Sequence, residues 1–298
     1  MDGLLVIDKP EGITSHDVVN RVRRILGIKR VGHTGTLDPF ATGVMVVLVG
    51  RATRLAQFID KDEKEYEATI RFGFETDTGD VTGMQTSEYR VRNEVAAVLG
   101  DTDWNSVLAR FRGGIEQVPP MYSAKKVGGK KLYESARKGV EIERKPVRVT
   151  IKVLELLDRD QDADTLCLRV VCSAGTYIRT LAENIGRTVG VGAHLTDLRR
   201  TRSGRFDLSQ ALTVDRLAKL DEAASALLPI DTAVEHLPKC LVPDERVERT
   251  RQGLSTRIAD ATFADGQSVR MTSTEGELIA IGVYSVDEGS VKPKVVLV

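Results

Sequence analysis

The first thirty residues show two hydrophobic patterns with different periods. Residues 4–7 form a continuous apolar run, which predicts a short buried strand at 3–8 that ends at Lys9-Pro10. Between residues 18 and 26 the apolar positions recur at the spacing of one helix face. Thr14 or Ser15 precedes them as a candidate N-cap. The chain therefore begins with a predicted strand followed by a predicted helix.

The same patterns continue through the next 180 residues. Residues 65–74 alternate strictly, with Tyr66, Ala68, Ile70, Phe72 and Phe74 predicted on one face of a strand. The other predicted elements are a Gly-rich irregular loop at 31–43, a strand at 44–49, a helical segment at 54–59, a polar loop at 76–80, helices near 93–99 and 104–111, strands at 147–157 and 165–173, a helix at 176–189, and an extended segment at 193–206.

The composition of the chain changes near Leu228-Pro229. Residues 230–298 contain short alternating segments that predict strands at 268–271, 278–286 and 291–298. The earlier strands and helices are mixed without a regular βαβ alternation. The sequence therefore predicts an α+β protein whose mixed, largely antiparallel sheet is flanked by helices, with one domain at 1–229 and a small β-rich domain at 230–298.

Length and composition support a chain that folds around a large core. The 298 residues are 41% hydrophobic and 29% charged, and the mean hydropathy is −0.17. These values exclude a disordered, collagen-like or peptide-sized disulfide protein. The longest apolar run, 44–49, is far shorter than the roughly 18 residues of a membrane span. The N-terminus lacks the cations and long apolar stretch of a secretory signal, so we expect a cytoplasmic protein.

Cysteine and histidine positions argue against a disulfide framework or a metal site. The three cysteines, Cys167, Cys172 and Cys240, are an odd number without paired spacing. Cys167 and Cys172 are five residues apart in a predicted strand, so they should face opposite sides. None of the four histidines forms a zinc-ligand pattern with a cysteine. We expect no metal ion.

The net charge is zero, with 43 basic and 43 acidic residues, but the charges are unevenly distributed. Residues 1–220 carry 35 basic and 30 acidic residues, and residues 221–298 carry 8 and 13. Basic residues cluster at 21–30, at 199–205, and at 119–150, where nine basic residues accompany three acidic ones. Such clusters indicate either a binding surface for a polyanion or an ordinary solvated face.

Residues 32–43, Gly-His-Thr-Gly-Thr-Leu-Asp-Pro-Phe-Ala-Thr-Gly, carry the candidate chemistry. They match neither a phosphate-binding P-loop nor a dinucleotide-binding turn. They place Asp38 and His33 on a constrained loop, although an Asp-Pro step also forms turns and a histidine also serves structural roles. A lone carboxylate does not suit glycoside hydrolysis, which uses two, but it suits a covalent nucleophile.

This stretch, with Val44 after it, resembles the catalytic motif of the TruB-type pseudouridine synthases, which act on uridine 55 of tRNA. Seven further segments resemble the family in the same order, and together they span residues 3 to about 205. They are Leu5–Pro10 with Gly12 and Ser15; Lys64-Glu65-Tyr66; Asp77–Asp80; Pro119–Ala124; Lys130–Tyr133; Gly175–Leu181; and Gly192–Leu195 with Leu198-Arg199-Arg200.

The resemblance implies an activity and a fold. The expected reaction is isomerisation of a uridine in the tRNA T-loop to pseudouridine, on the pseudouridine synthase fold and without a cofactor. Asp38 is implied as the nucleophile; attack on the sugar C1′ and attack on the base C6 both remain open. The target nucleotide must be flipped out of the folded loop to be reached.

The resemblance also assigns roles around Asp38. His33 would stack where the flipped base had been, and Arg179 would pair with the nucleophile, although an ion pair with Glu183 one helical turn away is the alternative. Tyr66 would pack against the base, although its alternating strand equally predicts a core residue. Tyr177 and Leu198 are implied as further residues of the uridine pocket, and Lys9 as a residue that supports it.

The family's RNA contacts correspond to the basic segments of the chain. An insertion at about 119–146 would grip RNA through Lys125, Lys126, Lys130 and Lys131, and Arg199, Arg200 and Arg202 would contact phosphates. The C-terminal domain resembles a small RNA-binding module of the PUA type, although its net charge of −5 departs from that expectation. The implied partner is the T-arm stem-loop of tRNA, without an obligatory protein partner.

Two other functions compete with a stand-alone enzyme. A non-catalytic protein that binds or folds RNA would retain the same surface without using Asp38. An RNA-guided synthase would work inside a multi-protein particle, but this chain lacks the extended basic tails that would favour it.

Overall fold

The computed structural model describes residues 1–59, 63–88, 92–123, 125–136, 139–162, 164–258 and 261–297. The strands in chain order are β1 (Gly3–Lys9), β2 (Val31–Thr34), β3 (Thr42–Val49), β4 (Lys64–Phe72), β5 (Phe74–Thr76), β6 (Gln85–Glu88), β7 (Gly113–Gln117), β8 (Lys126–Val127), β9 (Lys130–Lys131), β10 (Val147–Asp160), β11 (Thr165–Cys172), β12 (Ala193–Ser203), β13 (Phe206–Asp207), β14 (Leu212–Thr213), β15 (Lys239–Leu241), β16 (Thr256–Arg257), β17 (Ser268–Thr272), β18 (Leu278–Ser285) and β19 (Ser290–Val296).

Eight α-helices and four short 3₁₀ helices lie in the described ranges. The α-helices are α1 (Ser15–Leu26), α2 (Ala56–Ile59), α3 (Arg92–Asp101), α4 (Trp104–Ala109), α5 (Leu132–Ala136), α6 (Ile178–Val189), α7 (Val214–Ala218) and α8 (Asp244–Arg251). The 3₁₀ helices are Gly50–Leu55, Leu208–Gln210, Ala223–Ala226 and Ile230–Val234. No helix in the described part of the chain combines the length and apolar character needed to cross a membrane.

The centre of the protein is a ten-stranded sheet. Eight strands follow the order β14-β1-β3-β12-β4-β11-β10-β7, with β13 paired to β12 and β2 paired to β3. The β1–β14 and β3–β12 pairs are parallel, and the other described pairs in this sheet are antiparallel. The prediction of a mixed, largely antiparallel sheet with helices around it is confirmed.

The continuous apolar run of β1 follows from burial on both faces. Leu4 and Val6 pack into one hydrophobic cluster, and Leu5 and Ile7 pack into another on the opposite side. Since neighbouring side chains in a strand point to opposite faces, only a strand covered on both sides needs apolar residues at every position. Helices α1 and α7 cover one of these faces.

Thr14 is the N-cap of α1. Its hydroxyl accepts a hydrogen bond from the Asp17 backbone N–H, the Asp17 side chain accepts one from the Thr14 backbone N–H, and Gly27 closes the helix in the left-handed region. This decides between the two predicted caps. The Ser15 hydroxyl instead belongs to the interior, where it bonds the backbone of Leu37.

Several predicted boundaries were wrong. Residues 31–34 of the predicted loop form strand β2, and the predicted strand at 65–74 stops at Phe72, because Gly73 has φ +110° and turns the chain into a separate hairpin. Phe74 therefore leaves the inward face on which the alternation placed it. Strand β7 was missed, since its sequence Gly-Gly-Ile-Glu-Gln has almost no apolar periodicity.

The C-terminal part forms a second sheet with its own core. Its order is β15-β17-β18-β19-β16, and α8 packs beside it, which confirms the predicted β-rich C-terminal unit. Leu278, Ile281 and Leu297 also join the hydrophobic cluster of Leu4 and Val6. The two sheets are thus connected by a shared apolar core. The boundary at 229/230 remains a prediction, with the second sheet itself starting at Lys239.

Candidate active site

The loop between β2 and β3 presents Asp38 and is fastened on both sides. The Ser15 hydroxyl contacts both backbone polar groups of Leu37 at 2.9 Å, and the Gly12 N–H donates to the Pro39 carbonyl at 2.9 Å. The Leu37 and Phe40 side chains are buried in the main core. Asp38 therefore sits on a rigid loop, as a precisely aimed reactive group requires.

Lys9 reaches this loop from the end of β1. Its ammonium donates to three carbonyl oxygens, those of Pro10 at 2.9 Å, Pro39 at 3.1 Å and Ala41 at 2.6 Å. The whole residue is buried. Burial lowers the pKa of Lys9 to about 8, although the nearby Asp38 charge opposes the shift. These contacts fasten the loop of Asp38 to the end of β1. The supporting role that the family resemblance implied for Lys9 stays a prediction.

Asp38 is held by Arg179 in a two-point ion pair. The Arg179 Nε lies 2.9 Å from Asp38 Oδ2, and its Nη2 donates to Oδ1 at 3.1 Å. Side-chain exposure is 5% for Arg179 and 31% for Asp38, so the arginine is enclosed while the carboxylate faces the cavity. This fork favours the ionised carboxylate and fixes its plane. The structure therefore places Arg179 against Asp38 rather than in the alternative pair with Glu183.

Arg179 is itself held in place by the surrounding backbone. Its Nη1 donates to the Thr78 carbonyl and its Nη2 to the Tyr122 carbonyl, both at 2.8 Å. The carboxylate of Asp80 lies 3.8 Å from Nη1. The guanidinium thus connects three segments: the loop of residues 76–80, the segment after Pro119-Pro120, and the loop 35–41 that carries Asp38, here called the catalytic loop.

The electrostatic environment of Asp38 is balanced between opposing effects. Burial raises the pKa of the Asp38 carboxyl above its usual value, and the negative charge of Asp80 adds to this, while Arg179 and Lys9 act in the opposite direction. The carboxylate is consequently more basic than an exposed aspartate, which makes it a better nucleophile when it is ionised.

A cavity of about 260 Å³ opens in front of Asp38. This volume lies close to the lower end of the ~300–1,000 Å³ typical of small-molecule pockets. Six predicted residues border it together with Asp38: Tyr66, Tyr177, Arg179, Leu198, Lys125 and Arg200. The structure therefore brings together residues that are up to 162 positions apart in a single pocket.

Gln117 fixes the position of Tyr177 at the start of α6. Its side-chain amide accepts from the Tyr177 N–H at 3.0 Å and donates to the Tyr177 carbonyl at 3.2 Å. Gln117 is almost completely buried. Tyr177 is the N-cap of α6, and its side chain makes no capping hydrogen bond. The Tyr177 N–H has no acceptor within the helix, and Gln117 provides one.

His33 lies outside this cavity. It borders a neighbouring depression of about 280 Å³, together with Thr34 and Gln57. Gly35 and Thr36 line both spaces, so the two are separated only by the catalytic loop. The structure thus places His33 beside the pocket rather than in it.

The predicted RNA-contacting residues have different surroundings. Lys125 borders the cavity, whereas the side chains of Lys126, Lys130 and Lys131 lie outside the described part of the structure. Arg199 pairs with Asp8 at 2.8 Å, and Arg202 pairs with Glu65 at 3.2 Å. Both arginines remain about one-third exposed.

Arg200 departs from the expectation that it lies on the surface. It is 1% exposed, and its guanidinium donates to the Val44 carbonyl at 2.6 Å and the Gly35 carbonyl at 2.8 Å. It also borders the cavity. The period of two along β12 explains this, because Arg200 shares a face with Leu198 while Arg199 faces the other way.

Sequence reasoning overlooked two further residues near the pocket. Lys64 borders the cavity and is 4% exposed; its separation of two residues from Tyr66 in β4 was the available signal. Asp80 lies in a loop with no periodicity, and the available signal was its place in the family-like segment Asp77–Asp80.

No cluster of three or more His, Cys, Asp or Glu residues suited to a metal ion occurs among the described residues. Cys167 and Cys172 are both unpaired thiols, the first half-buried and the second buried.

Comparisons with known proteins agree with this site. Residues 23–178 match the family described as TruB family pseudouridylate synthase (N terminal domain), and residues 179–235 match the tRNA pseudouridylate synthase B C-terminal domain. The tRNA pseudouridine synthase B of Geobacillus thermodenitrificans is 44% identical, with 98% of each chain covered. That of Symbiobacterium thermophilum is 49% identical, covering 87% of this chain and 84% of its own.

Solved structures show the same fold. A chain in the crystal structure of a Cbf5-Nop10-Gar1 complex superimposes with a TM-score of 0.73 at 28% identity, covering 99% of this chain and 85% of that chain. A chain of an H/ACA RNP bound to a substrate RNA containing 2′-deoxyuridine gives 0.70 at 27% identity, with 99% and 85% covered. The fold and the family matches define an RNA-uridine isomerase. The chain belongs to the TruB family of pseudouridylate synthases.

Proposed function

We propose that this protein isomerises uridine 55 in the T-loop of tRNA to pseudouridine, acting alone. The observation that carries the proposal is the Asp38–Arg179 pair, which presents an oriented carboxylate to a cavity of nucleoside dimensions. The substrate is supported by relatives named tRNA pseudouridine synthase B that align over nearly the whole chain. A cytoplasmic location, where tRNA is present, follows from this function.

The reaction breaks the N1–C1′ bond, turns the base and rejoins it through C5. It involves no net oxidation or reduction and no energy-rich leaving group, so the side chains of the protein suffice without a cofactor. Asp38 is the nucleophile, directed at either C1′ or C6. Arg179 keeps the attacking carboxylate ionised and oriented.

The target nucleotide must leave the T-loop of the tRNA to reach Asp38. Asp38 borders the cavity on one side of the protein loop 35–41, and His33 borders the depression on its other side. In the proposed complex the uracil stacks on Tyr66, with Tyr177 and Leu198 lining the rest of the pocket. His33, on the other side of the catalytic loop, occupies the place that the base has vacated.

The T-arm is held by the segment 119–146 and by the exposed arginines of β12. Lys125 lies at the cavity entrance, and Lys126, Lys130 and Lys131 extend its charge along the same segment. Arg199 and Arg202 contribute phosphate contacts, which position RNA without reading its sequence. Domain 230–298 contributes a PUA-like surface of lower charge.

The direct test is mass mapping of pseudouridine in an unmodified tRNA transcript incubated with the purified protein alone. We expect one new pseudouridine, at position 55, and the same product in an isolated T-arm stem-loop. A requirement for a guide RNA or protein partner would support the RNA-guided alternative instead. Improved tRNA folding without any pseudouridine, equally with the wild type and Asp38→Asn, would support the RNA-folding alternative.

A further inference from the structure

Arg200 differs from the other arginines around the site in its charge balance. Arg179, Arg199 and Arg202 each form an ion pair with a carboxylate. The hydrogen bonds of Arg200 go to two backbone carbonyls, and no carboxylate of the described residues forms an ion pair with it. The positive charge of this buried guanidinium is therefore stabilised by neutral backbone carbonyls and has no carboxylate counter-charge in contact with it in the described part of the chain.

This charge lies at the wall of the substrate cavity. Arg200 borders the cavity with Gly35, Tyr66 and Leu198. A Cβ placed on Gly35 would be 3.2 Å from Arg200 Nη1, which locates that nitrogen directly behind the catalytic loop. The guanidinium also lies beside the Tyr66 hydroxyl, where it opposes the rise in pKa that burial causes.

Burying a cation without a counter-charge is unfavourable unless an anion completes the site. The two carbonyl contacts use two of the five N–H donors of the guanidinium. Preorganised donors of this kind stabilise charge that develops only during a reaction, because no reorganisation is needed at that moment. The location of Arg200 thus points to an anion that appears in the cavity with the substrate.

The proposed reaction generates such an anion on the base, and the inference rests on that proposed function. If Asp38 bonds to C1′, the N1–C1′ bond breaks and its electron pair stays on uracil, delocalised over N1, O2 and O4. If Asp38 adds to C6, the π electron pair of the C5=C6 bond moves onto C5 and O4, and the N1–C1′ bond breaks as C5 bonds to C1′. Either way the ring is negative before the C5–C1′ bond is complete. The bond to Asp38 then breaks and returns its electron pair to the carboxylate, the C5 proton leaves to solvent, and N1 takes up a proton from solvent.

We infer that Arg200 is a catalytic residue that stabilises the negative charge of the uracil ring during its rearrangement. Asp38, paired with Arg179, attacks the nucleoside from one wall of the cavity. The positive charge of Arg200, on β12, stabilises the negative ring from another wall. The carbonyls of Val44 and Gly35 and the hydroxyl of Tyr66 fix the position of the Arg200 guanidinium before the substrate binds.

The test compares uridine with 5-fluorouridine at the target position of a T-arm stem-loop, under single-turnover conditions. The readout is the N-linked nucleoside that remains after nuclease digestion, and RNA affinity is measured separately by filter binding. Fluorine stabilises negative charge on the pyrimidine ring, so a variant that has lost the stabilising cation should be less impaired with the fluorinated RNA.

We expect Arg200→Met to slow bond cleavage in the uridine RNA by about 100-fold while affinity changes little. The loss with 5-fluorouridine should be about tenfold smaller. Arg199→Met is the matched control, because its side chain lies on the opposite face of β12; any effect on affinity or rate should be equal for the two RNAs. Arg200→Lys, which keeps a positive charge, should recover part of the rate and of the wild-type ratio between substrates.

Equal losses on both RNAs with Arg200→Met would overturn the inference and assign Arg200 to packing alone. Weaker RNA binding at an unchanged cleavage rate would also overturn it and would indicate a phosphate contact. If Arg200→Met loses its cooperative melting, the comparison is made with Arg200→Lys: a loss that is smaller with the 5-fluorouridine RNA than with the uridine RNA supports the inference, and an equal loss on both RNAs contradicts it. Failure of the proposed function is recognised separately, because the wild type would then convert neither RNA.

Discussion

Arg179 grasps both carboxylate oxygens of Asp38 although the two residues are 141 positions apart in the chain. One comes from a glycine-rich loop and the other from the first turn of α6, and the central sheet brings them together. The pair sets the charge, direction and accessibility of the Asp38 carboxylate at once. The predictions below test how the surrounding residues maintain it.

Replacing Arg179 with lysine should impair catalysis far more than folding. The single ammonium loses the two-point contact with Asp38 and one of the carbonyl contacts. We expect kcat to fall by about 100-fold, measured by single-turnover pseudouridine formation. Arg187→Lys is the control: this half-exposed arginine lies on the same helix, pairs with the buried Glu75 and does not border the cavity. Its activity should stay within about twofold of the wild type. Equal activities of the two variants would contradict the assigned role.

Lys9→Met should destabilise the catalytic loop. The change leaves the carbonyls of Pro10, Pro39 and Ala41 without their shared donor in the interior. A loss of about 2–4 kcal/mol in the free energy of unfolding is expected, measured by urea denaturation. The exposed Lys29→Met should change it by about 0.5 kcal/mol or less. A Lys9→Met protein as stable as the wild type would show that these contacts contribute little.

The activity should have an acidic limb governed by Asp38. Because burial raises the pKa of this carboxyl, it gains its proton at a higher pH than a free aspartate, and kcat/KM should fall as the pH drops through that raised value. The midpoint should lie above the ordinary value of 3.8. A pH–rate profile at constant ionic strength, with circular dichroism to exclude unfolding, measures it. A midpoint at or below 3.8 would show that Arg179 outweighs burial.

The same shift has a consequence for stability. Since the folded pKa of Asp38 lies above the unfolded one, its favourable contribution is present below pH 3.8 and is lost as the pH rises through the folded value. At neutral pH the ionised Asp38 carboxylate therefore lowers the stability of the fold. The proposed reaction needs this ionised form. Asp38→Asn should melt cooperatively at a temperature no lower than a few degrees below the wild type.

Gln117→Leu should misplace Tyr177 without opening the pocket. The leucine keeps the volume but leaves the Tyr177 N–H unpaired, and the Tyr177 carbonyl keeps only its bond from the Leu181 N–H. We expect kcat/KM to fall by about tenfold and the free energy of unfolding by about 1–3 kcal/mol. The exposed Gln161→Leu serves as the comparison. An unchanged kcat/KM in Gln117→Leu would mean that other contacts position Tyr177.

RNA binding should weaken steeply with salt if the basic segments contact phosphates. Each contact that is removed should lower the slope of log affinity against log salt by about 0.7–0.9. Lys125→Ala should show this reduction, while Lys219→Ala, exposed at the end of α7 and outside the proposed RNA contacts, should not. A slope unaffected by Lys125→Ala would exclude this residue from the RNA surface.

The chain's local patterns revealed most of the fold but only part of the site. The apolar run of β1 and the alternation of β4 carry information about burial, and both strands appear where they were predicted. The loop of Asp38 was recognised through its resemblance to a family, since its own spacing allowed a simple turn. Phe74 and β7 were misjudged because glycine conformation and strand pairing, rather than periodicity, determine them.

Arg200 shows that a cluster of basic residues in the sequence does not reveal which of its members are buried. Its neighbours Arg199 and Arg202 are partly exposed, so the cluster suggested one basic surface. The alternation of β12 instead turns Arg200 into the interior, where its partners are backbone carbonyls supplied by two other segments of the chain. Such partners depend on the tertiary arrangement and leave no mark in the sequence.

The most direct test of the account is the conversion of uridine 55 in a tRNA transcript by the wild type and by Asp38→Asn, at equal and saturating protein. The account predicts complete conversion by the wild type and none by Asp38→Asn, with both proteins binding the tRNA comparably. Substantial pseudouridine formation by Asp38→Asn would contradict the central claim that the Asp38 carboxylate performs the chemistry.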